Sequence, residues 1–360
     1  MKRYFKALYK RIIRVFWFFF YLLPVRNNKV VVSSYYGNSY GDNLRYIVDE
    51  LLKQDKNLKI YWLVKNKNVA LSLPAGVIPV KNFTIRAIFH LTTAKIWLDN
   101  CRKDYCIKKK CQFYIQTWHG FALKRIEKDV ENNLTKRYVN SAKMDSKAID
   151  LIVSEASHMT KIYKNSFWYD GEVKELGSPR NDIIIKGDDG LLKEKVYNFF
   201  KLDQTKKIIL YAPTFRSDHN TDCYKLDYLK VLEACKERFD GDFIFLVRLH
   251  PNIESKSEGV CEYNDKILNA TYYPDLQELL VVSDIVITDY SSLMFDFMLS
   301  KKPCFQFATD IEAYKKDRNF YMPIESLPFP LAMSNNEMIN NIKTFDKEIY
   351  LKDLNTFFDE

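Results

Sequence analysis

The sequence predicts an α/β protein with two parallel sheets, each covered by helices on both faces. Short runs rich in apolar and β-branched residues alternate with segments of helical spacing. The alternation occurs twice, and a turn-rich break, Gly177-Ser-Pro-Arg-Asn-Asp182, separates the two sets. A chain of 360 residues also exceeds what one ordinary core serves and fits two domains. Parallel strands need long crossovers, which helices supply, so this alternation implies parallel rather than antiparallel pairing. Two Rossmann-like domains facing across a cleft are expected, at residues 29–178 and 179–360, behind a separate segment at 1–28.

The elements run in this order. Segment 1–28 carries Lys2, Arg3, Lys6, Lys10, Arg11, Arg14 and Arg26 around the apolar run Val15–Leu23 (VFWFFFYLL). With Lys29, eight of the nine net positive charges fall within the first 29 residues, which hold no acid. Nine apolar residues are too few for a bilayer core, which needs about twenty. Pro24, Val25 and Arg26 follow the run in place of a small-residue cleavage site. A cationic, aromatic-rich amphipathic helix lying on an anionic membrane surface is the expectation. The rest of the chain is nearly neutral, which argues against nucleic acid as a partner.

The first set has strands at Lys29–Tyr35, Lys59–Val64, Lys95–Asp99, Gln112–Gln116 and Ile149–Val153. Asp42 is placed to cap a helix whose apolar positions are Leu44, Ile47, Val48, Leu51 and Leu52. Further helices are read at Thr84–Thr93 and Ala156–Lys164. The second set reads as strand Lys207–Ala212, helix Lys225–Lys236, strands Phe243–Leu249 and Lys266–Asn269, helix Asp275–Val282, strand Asp284–Thr288, helix Ser292–Leu299 and strand Cys304–Phe307. Seven cysteines, an odd number, fit a reducing compartment. Cys101, Cys106 and Cys111 recur every five residues, which is not the C-x2-4-C spacing of a structural zinc site, so free thiols are expected and no metal.

In doubly wound sheets ligands bind beyond the carboxyl ends of the strands. Five segments stand at such ends or at the domain junction. Gln116-Thr-Trp-His-Gly120 offers His119 as a base near neutral pH. Arg248-Leu-His-Pro251 puts Arg248 and His250 on one side of an extended chain, a pair suited to phosphate. Tyr211-Ala-Pro-Thr-Phe-Arg216 supplies the Thr214 hydroxyl and the Arg216 fork. Thr288-Asp-Tyr-Ser-Ser-Leu-Met-Phe-Asp296 starts a helix with Ser291 and Ser292, where free amides attract anions, and Ser291 is placed to cap it. Asp296, one turn on, is placed to brace this loop or meet a ribose hydroxyl. Gly177–Asp182 brings Arg180 toward the cleft.

Together, and in this order, these segments resemble the CDP-glycerol glycerophosphotransferase family, the teichoic acid primases and polymerases. The resemblance runs from Val30 to Tyr314 and includes the early loop Gly37–Asn43 and the QTWHG segment through Lys124. It implies a GT-B fold, with the nucleotide held mainly by the C-terminal domain. It maps the family's two functional histidines onto His119 and His250, and donor-phosphate contacts onto Arg216, Ser291 and Ser292. Arg180, Thr214, Arg248 and Asp296 join the donor side; Gly37, Asn43 and Lys124 are acceptor-side positions. The implied reaction is attack of an acceptor hydroxyl on the β-phosphorus of CDP-glycerol with loss of CMP. No cofactor beyond this donor is required, and no DxD-like pair calls for a metal. The implied partners are a CDP-activated polyol, a lipid-linked acceptor and the cytoplasmic face of a bacterial plasma membrane, met peripherally. The chain looks shorter than the long polymerases, closer to a primase or capsule-locus transferase. CDP-ribitol, a nucleotide sugar on the same scaffold, and a non-catalytic partner in polymer assembly are the competing readings.

Overall fold

The computed structural model describes residues 15–103, 107–188, 190–216, 222–249, 261–317 and 319–359. His250, Pro251 and Cys106 therefore lie outside the described residues, as do residues 1–14 of the basic segment. The chain divides into two compact units, Met1–His119 with Ile126–Arg180, and Gly120–Arg125 with Asn181–Glu360. The break expected at 178/179 falls between Arg180 and Asn181, and six residues after His119 join the second unit.

In the first unit seven strands form one sheet in the order β3-β2-β1-β4-β5-β6-β7. They are β1 (Arg26–Ser33), β2 (Lys59–Val64), β3 (Val77–Lys81), β4 (Ala94–Asp99), β5 (Phe113–Gln116), β6 (Leu151–Ser154) and β7 (Glu172–Glu175). Every pair is parallel. Val30, Val31 and Val32 of β1 are buried on both faces, which is why the central strand reads as a continuous apolar run. β3 and β7 escape the sequence reading for opposite reasons. Pro79 sits inside β3, and proline is tolerated in a sheet only where its missing donor faces no neighbour, as on this edge. β7 is the other edge and reads EVKE, a charged strand that resists further pairing.

The second unit repeats the plan with six strands in the order β10-β9-β8-β11-β12-β13. These are β8 (Lys207–Tyr211), β9 (Phe243–Val247), β10 (Ile267–Asn269), β11 (Ile285–Thr288), β12 (Cys304–Phe307) and the two-residue β13 (Leu331–Ala332). All are parallel. In both sheets the winding direction reverses beside the first strand of the set, between β1 and β4 and between β8 and β11. Those reversal points are where a doubly wound sheet opens a crevice for ligands.

Some boundaries move. The helix expected at 225–236 runs Tyr228–Phe239, because Asp227 caps it by accepting from the Lys230 amide at 3.2 Å. The helix Asp42–Gln54 starts on Asp42 itself, with Gly41 in the cap position and the Asp42 carboxylate turned to other partners. Residues 15–21 are helical. Trp17 is buried and donates to the Ile107 carbonyl at 2.9 Å, and Phe20 packs edge-on against Phe89. Lys29 does not stand with the solvated cations. It is buried, donates to Thr93 Oγ1 at 2.6 Å, and burial with nearby Arg26 lowers its pKa to about 8. Among the described residues no helix is long and apolar enough to cross a membrane.

Candidate active site

At the reversal point of the first sheet, three loops meet on Asn100, the residue after β4. Asn100 is fully buried. Its Oδ1 accepts from the Tyr35 amide beyond β1 at 2.8 Å, and its Nδ2 donates to Asp42 Oδ2 at 2.7 Å. Its main-chain carbonyl lies 2.6 Å from His119 Nδ1, beyond β5. A carbonyl only accepts, so Nδ1 carries the proton and Nε2 is left with its lone pair. Burial lowers the His119 pKa below the ordinary 6.5, working against the Asn100 bond and the Asp42 charge, so the ring is neutral at physiological pH. The loop that holds it folds back on Gln116, whose Oε1 accepts from the Trp118 amide at 3.0 Å and whose Nε2 donates to the Cys101 carbonyl at 3.0 Å. The Tyr35 and Trp118 rings pack on the imidazole at 5.5 and 4.4 Å between centroids, and the Cys101 thiol lies 3.9 Å from Nδ1.

Asp42 is the negative charge of this cluster. Burial opposes its ionisation, but Arg180 Nη1 at 2.8 Å and the Asn43 amide at 2.7 Å override it and hold the carboxyl below its ordinary value. Asn43 Oδ1 in turn accepts from the Arg180 amide at 3.2 Å. Arg180, expected on the donor side, is thus paired inside the first unit. Asn43 is buried in the same ties. Gly37 serves the backbone: it takes φ +88°, and a Cβ there would lie 2.7 Å from the Leu63 carbonyl oxygen.

The second sheet's reversal point holds the other motifs. Arg216, after β8, is buried, and its fork is closed on two carboxylates. Nε donates to Asp310 at 2.7 Å, Nη2 pairs with Asp310 at 3.0 Å and Asp289 at 2.8 Å, and Nη1 donates to the Thr214 carbonyl at 2.6 Å. The expected bidentate grip on phosphate is occupied by the protein's own carboxylates. Tyr290 and Tyr314 stack at 4.0 Å between centroids, and the guanidinium lies within 4.9 Å of both rings. Lys124 also belongs to this unit, with its ammonium 5.1 Å from the Tyr314 ring centre.

Arg248, at the end of β9, is held differently. Nη1 donates to the carbonyls of Ala270 and Tyr273 at 3.1 and 2.7 Å, and no carboxylate pairs with it among the described residues. The Thr214 hydroxyl is buried with no partner among the described residues. Past β11, Ser292 rather than Ser291 occupies the cap position of helix Leu293–Phe297, and its hydroxyl makes no capping bond. Ser291 Oγ accepts from the Leu293 amide at 3.4 Å. The amides of Ser291 and Ser292 have no partner among the described residues, so this end presents donors. Asp296 braces the loop, accepting from Asn181 at 2.8 Å and Gln277 at 3.0 Å.

Residues 15–359 match the family model described as CDP-Glycerol:Poly(glycerophosphate) glycerophosphotransferase. The chain belongs to this family. A teichoic acid poly(glycerol phosphate) polymerase of Staphylococcus epidermidis is 33% identical over 93% of the chain, which spans only 48% of that relative. A teichoic acid glycerol-phosphate transferase of Staphylococcus aureus is 30% identical over 89% of the chain and 84% of its own length. The solved structure of the wall teichoic acid polymerase TagF superposes with a TM-score of 0.84 at 30% identity, covering 99% of this chain and 91% of that one.

In this member of the family, the chain's own bonds add Asn100, Asp42, Asp289 and Asp310 to the residues the sequence singled out. Asp42 had been read as a helix cap, and Asp289 lay unremarked inside the TDYSS motif. Asn100 follows a strand end, as ligand-site residues do, but a lone asparagine carries no pattern. Asp310 meets Arg216 only through the fold. Among the described residues no group of histidine, cysteine and carboxylate side chains is gathered to hold a metal.

Proposed function

We propose that the protein transfers glycerol phosphate from CDP-glycerol to a hydroxyl of a membrane lipid-linked acceptor, releasing CMP, in the synthesis of a teichoic acid or capsule-like polymer. The carrying observation is His119, neutral and locked by Asn100, with Nε2 bonded to none of the described residues. In this reading Nε2 takes the proton of the acceptor hydroxyl as its oxygen bonds to the β-phosphorus and the bond to the departing CMP breaks. Such a displacement needs positioning and charge stabilisation rather than a covalent intermediate. Arg248, the unpaired amides at Ser291 and Ser292 and the Thr214 hydroxyl hold the pyrophosphate, with His250 joining them from outside the described residues. Arg216 fixes the loops that carry those groups.

Purified protein given CDP-glycerol or CDP-ribitol, with a lipid-linked disaccharide or a short primed polymer, tests this by CMP release and product mass. Growth by glycerol phosphate units is expected. Growth only with CDP-ribitol would reassign the polyol, and no CMP from either donor would point to the non-catalytic reading.

Seating on the anionic cytoplasmic surface of the membrane is proposed for residues 1–28. Val15, Phe18 and Phe19 on a helix pinned by Trp17 and Phe20, and Leu22 in the turn after it, are 66–75% exposed, and basic residues surround them in sequence. Removal of residues 1–26 should abolish sedimentation with anionic vesicles in low salt; unchanged sedimentation would exclude the segment as the anchor.

A further inference from the structure

We infer that the first unit carries a separate subsite for a phosphodiester-bearing chain, the phosphate-linked part of the acceptor. It is a groove of about 460 Å³ next to the His119 loop. Its walls include Tyr36, Phe83, Lys65, Arg137, Thr135 and Ser141. Tyr36 follows Tyr35, whose ring packs on His119. Arg102, also at the groove, lies 5.9 Å from the Trp118 ring, one residue before His119.

Three features point to an anionic ligand of some length. Lys65 and Arg137 are exposed and form no ion pair among the described residues, whereas Arg102 is buried and matched by Glu127 and Asp145. The groove's accessible charge is therefore positive and uncompensated, the complement of a phosphodiester. Next, Tyr36 and Phe83 are 40% and 41% exposed, two large rings facing one opening. Both hold left-handed backbones with φ 58°, a conformation that strains a bulky residue. Asn82 enforces the pair by donating from Nδ2 to the Tyr36 carbonyl at 3.0 Å and accepting from the Phe83 amide at 2.8 Å. A strained geometry that keeps two rings out of the core fits a platform for the carbon backbone of a ligand whose phosphates meet the cations. Finally, the volume lies in the range of sites that enclose an organic ligand and exceeds what a lone anion fills.

The inference rests on the polyol-phosphate reading above, and its test is a binding measurement that needs no turnover. A short glycerol phosphate oligomer is titrated into the full chain by calorimetry, with inorganic phosphate and phosphatidylglycerol vesicles as separate arms. The oligomer should bind, weaken as salt rises, and bind at least about tenfold more weakly to the K65E/R137E double variant. Tyr36→Ala with Phe83→Ala should weaken it by a smaller factor. The melting temperature of the charge variant should match the parent, since both side chains are exposed and unpaired. In turnover, acceptor KM should rise in that variant and donor KM should hold. Equal oligomer binding by parent and double variant overturns the subsite, as does binding of vesicles with no binding of the oligomer, or binding of inorganic phosphate as tightly as the oligomer. Loss of CMP release with oligomer binding intact would remove the catalytic reading and leave the subsite standing.

Discussion

The two sheets share a strand order and differ in the chemistry at the point where it reverses. In the first, the helix after β1 begins on the chain's own carboxylate. Asp42 takes the Asn43 amide, the Asn100 side chain and Arg180, and the ring of His119 stays neutral beside it. The acid and base of that end are thus matched within the protein. In the second, the carboxylates are consumed by Arg216, while Arg248, the Thr214 hydroxyl and the amides past β11 have no acid to satisfy them among the described residues. The carboxylates of that end are engaged elsewhere, on Arg216, Asn181 and Gln277. One fold, used twice, supplies its own acid to the polar groups at one reversal point and leaves donors without one at the other.

The contrast is breakable by substitution. The largest effect is expected for His119→Ala, which should lower CMP release by about 100- to 10,000-fold with the circular dichroism spectrum unchanged. Activity within threefold of the parent would remove the base from the first sheet. Next are the two arginines. Arg216→Ala leaves buried Asp289 and half-buried Asp310 without their cation and should destabilise the protein by about 3–5 kcal/mol in denaturant unfolding. Arg248→Ala frees the Ala270 and Tyr273 carbonyls but strands no carboxylate, so it should cost less, about 1–3 kcal/mol, and raise donor KM by about 10- to 100-fold. Reversal of that pattern would exchange their roles. The smallest effect is in the pH profile. Protonation of His119 begins only below its ordinary 6.5, so kcat/KM should be flat near neutrality and fall as pH drops through that lowered value. An acid limb centred above 6.5 would mean that another group sets it.

Central strands and motif loops were legible because burial on both faces leaves runs such as KVVVSS and KIILY with few alternatives, and because the loops follow strand ends. Edge strands were not. Pro79 in β3 and the acids of β7 are what an edge selects, and they erase the apolar signal. Arg216 shows a deeper limit. An arginine after a strand suggests phosphate, but whether its fork is open depends on Asp310, 94 residues later. The tautomer of His119 depends on a main-chain carbonyl, and any residue type at position 100 would provide one.

The six residues Gly120–Arg125 carry a consequence for how the molecule is made. They belong to the second unit, where the Arg125 amide donates to Asn319 and Leu123 accepts from Tyr321, yet they are translated long before their partners. During synthesis the strip that begins at the residue after His119 has no unit to join until the chain has been extended past Tyr321. The strip is thus secured among the last events of biogenesis. A chain truncated near residue 180 holds the Asn100, Gln116 and Tyr35 partners of His119 and leaves the six residues after it without theirs.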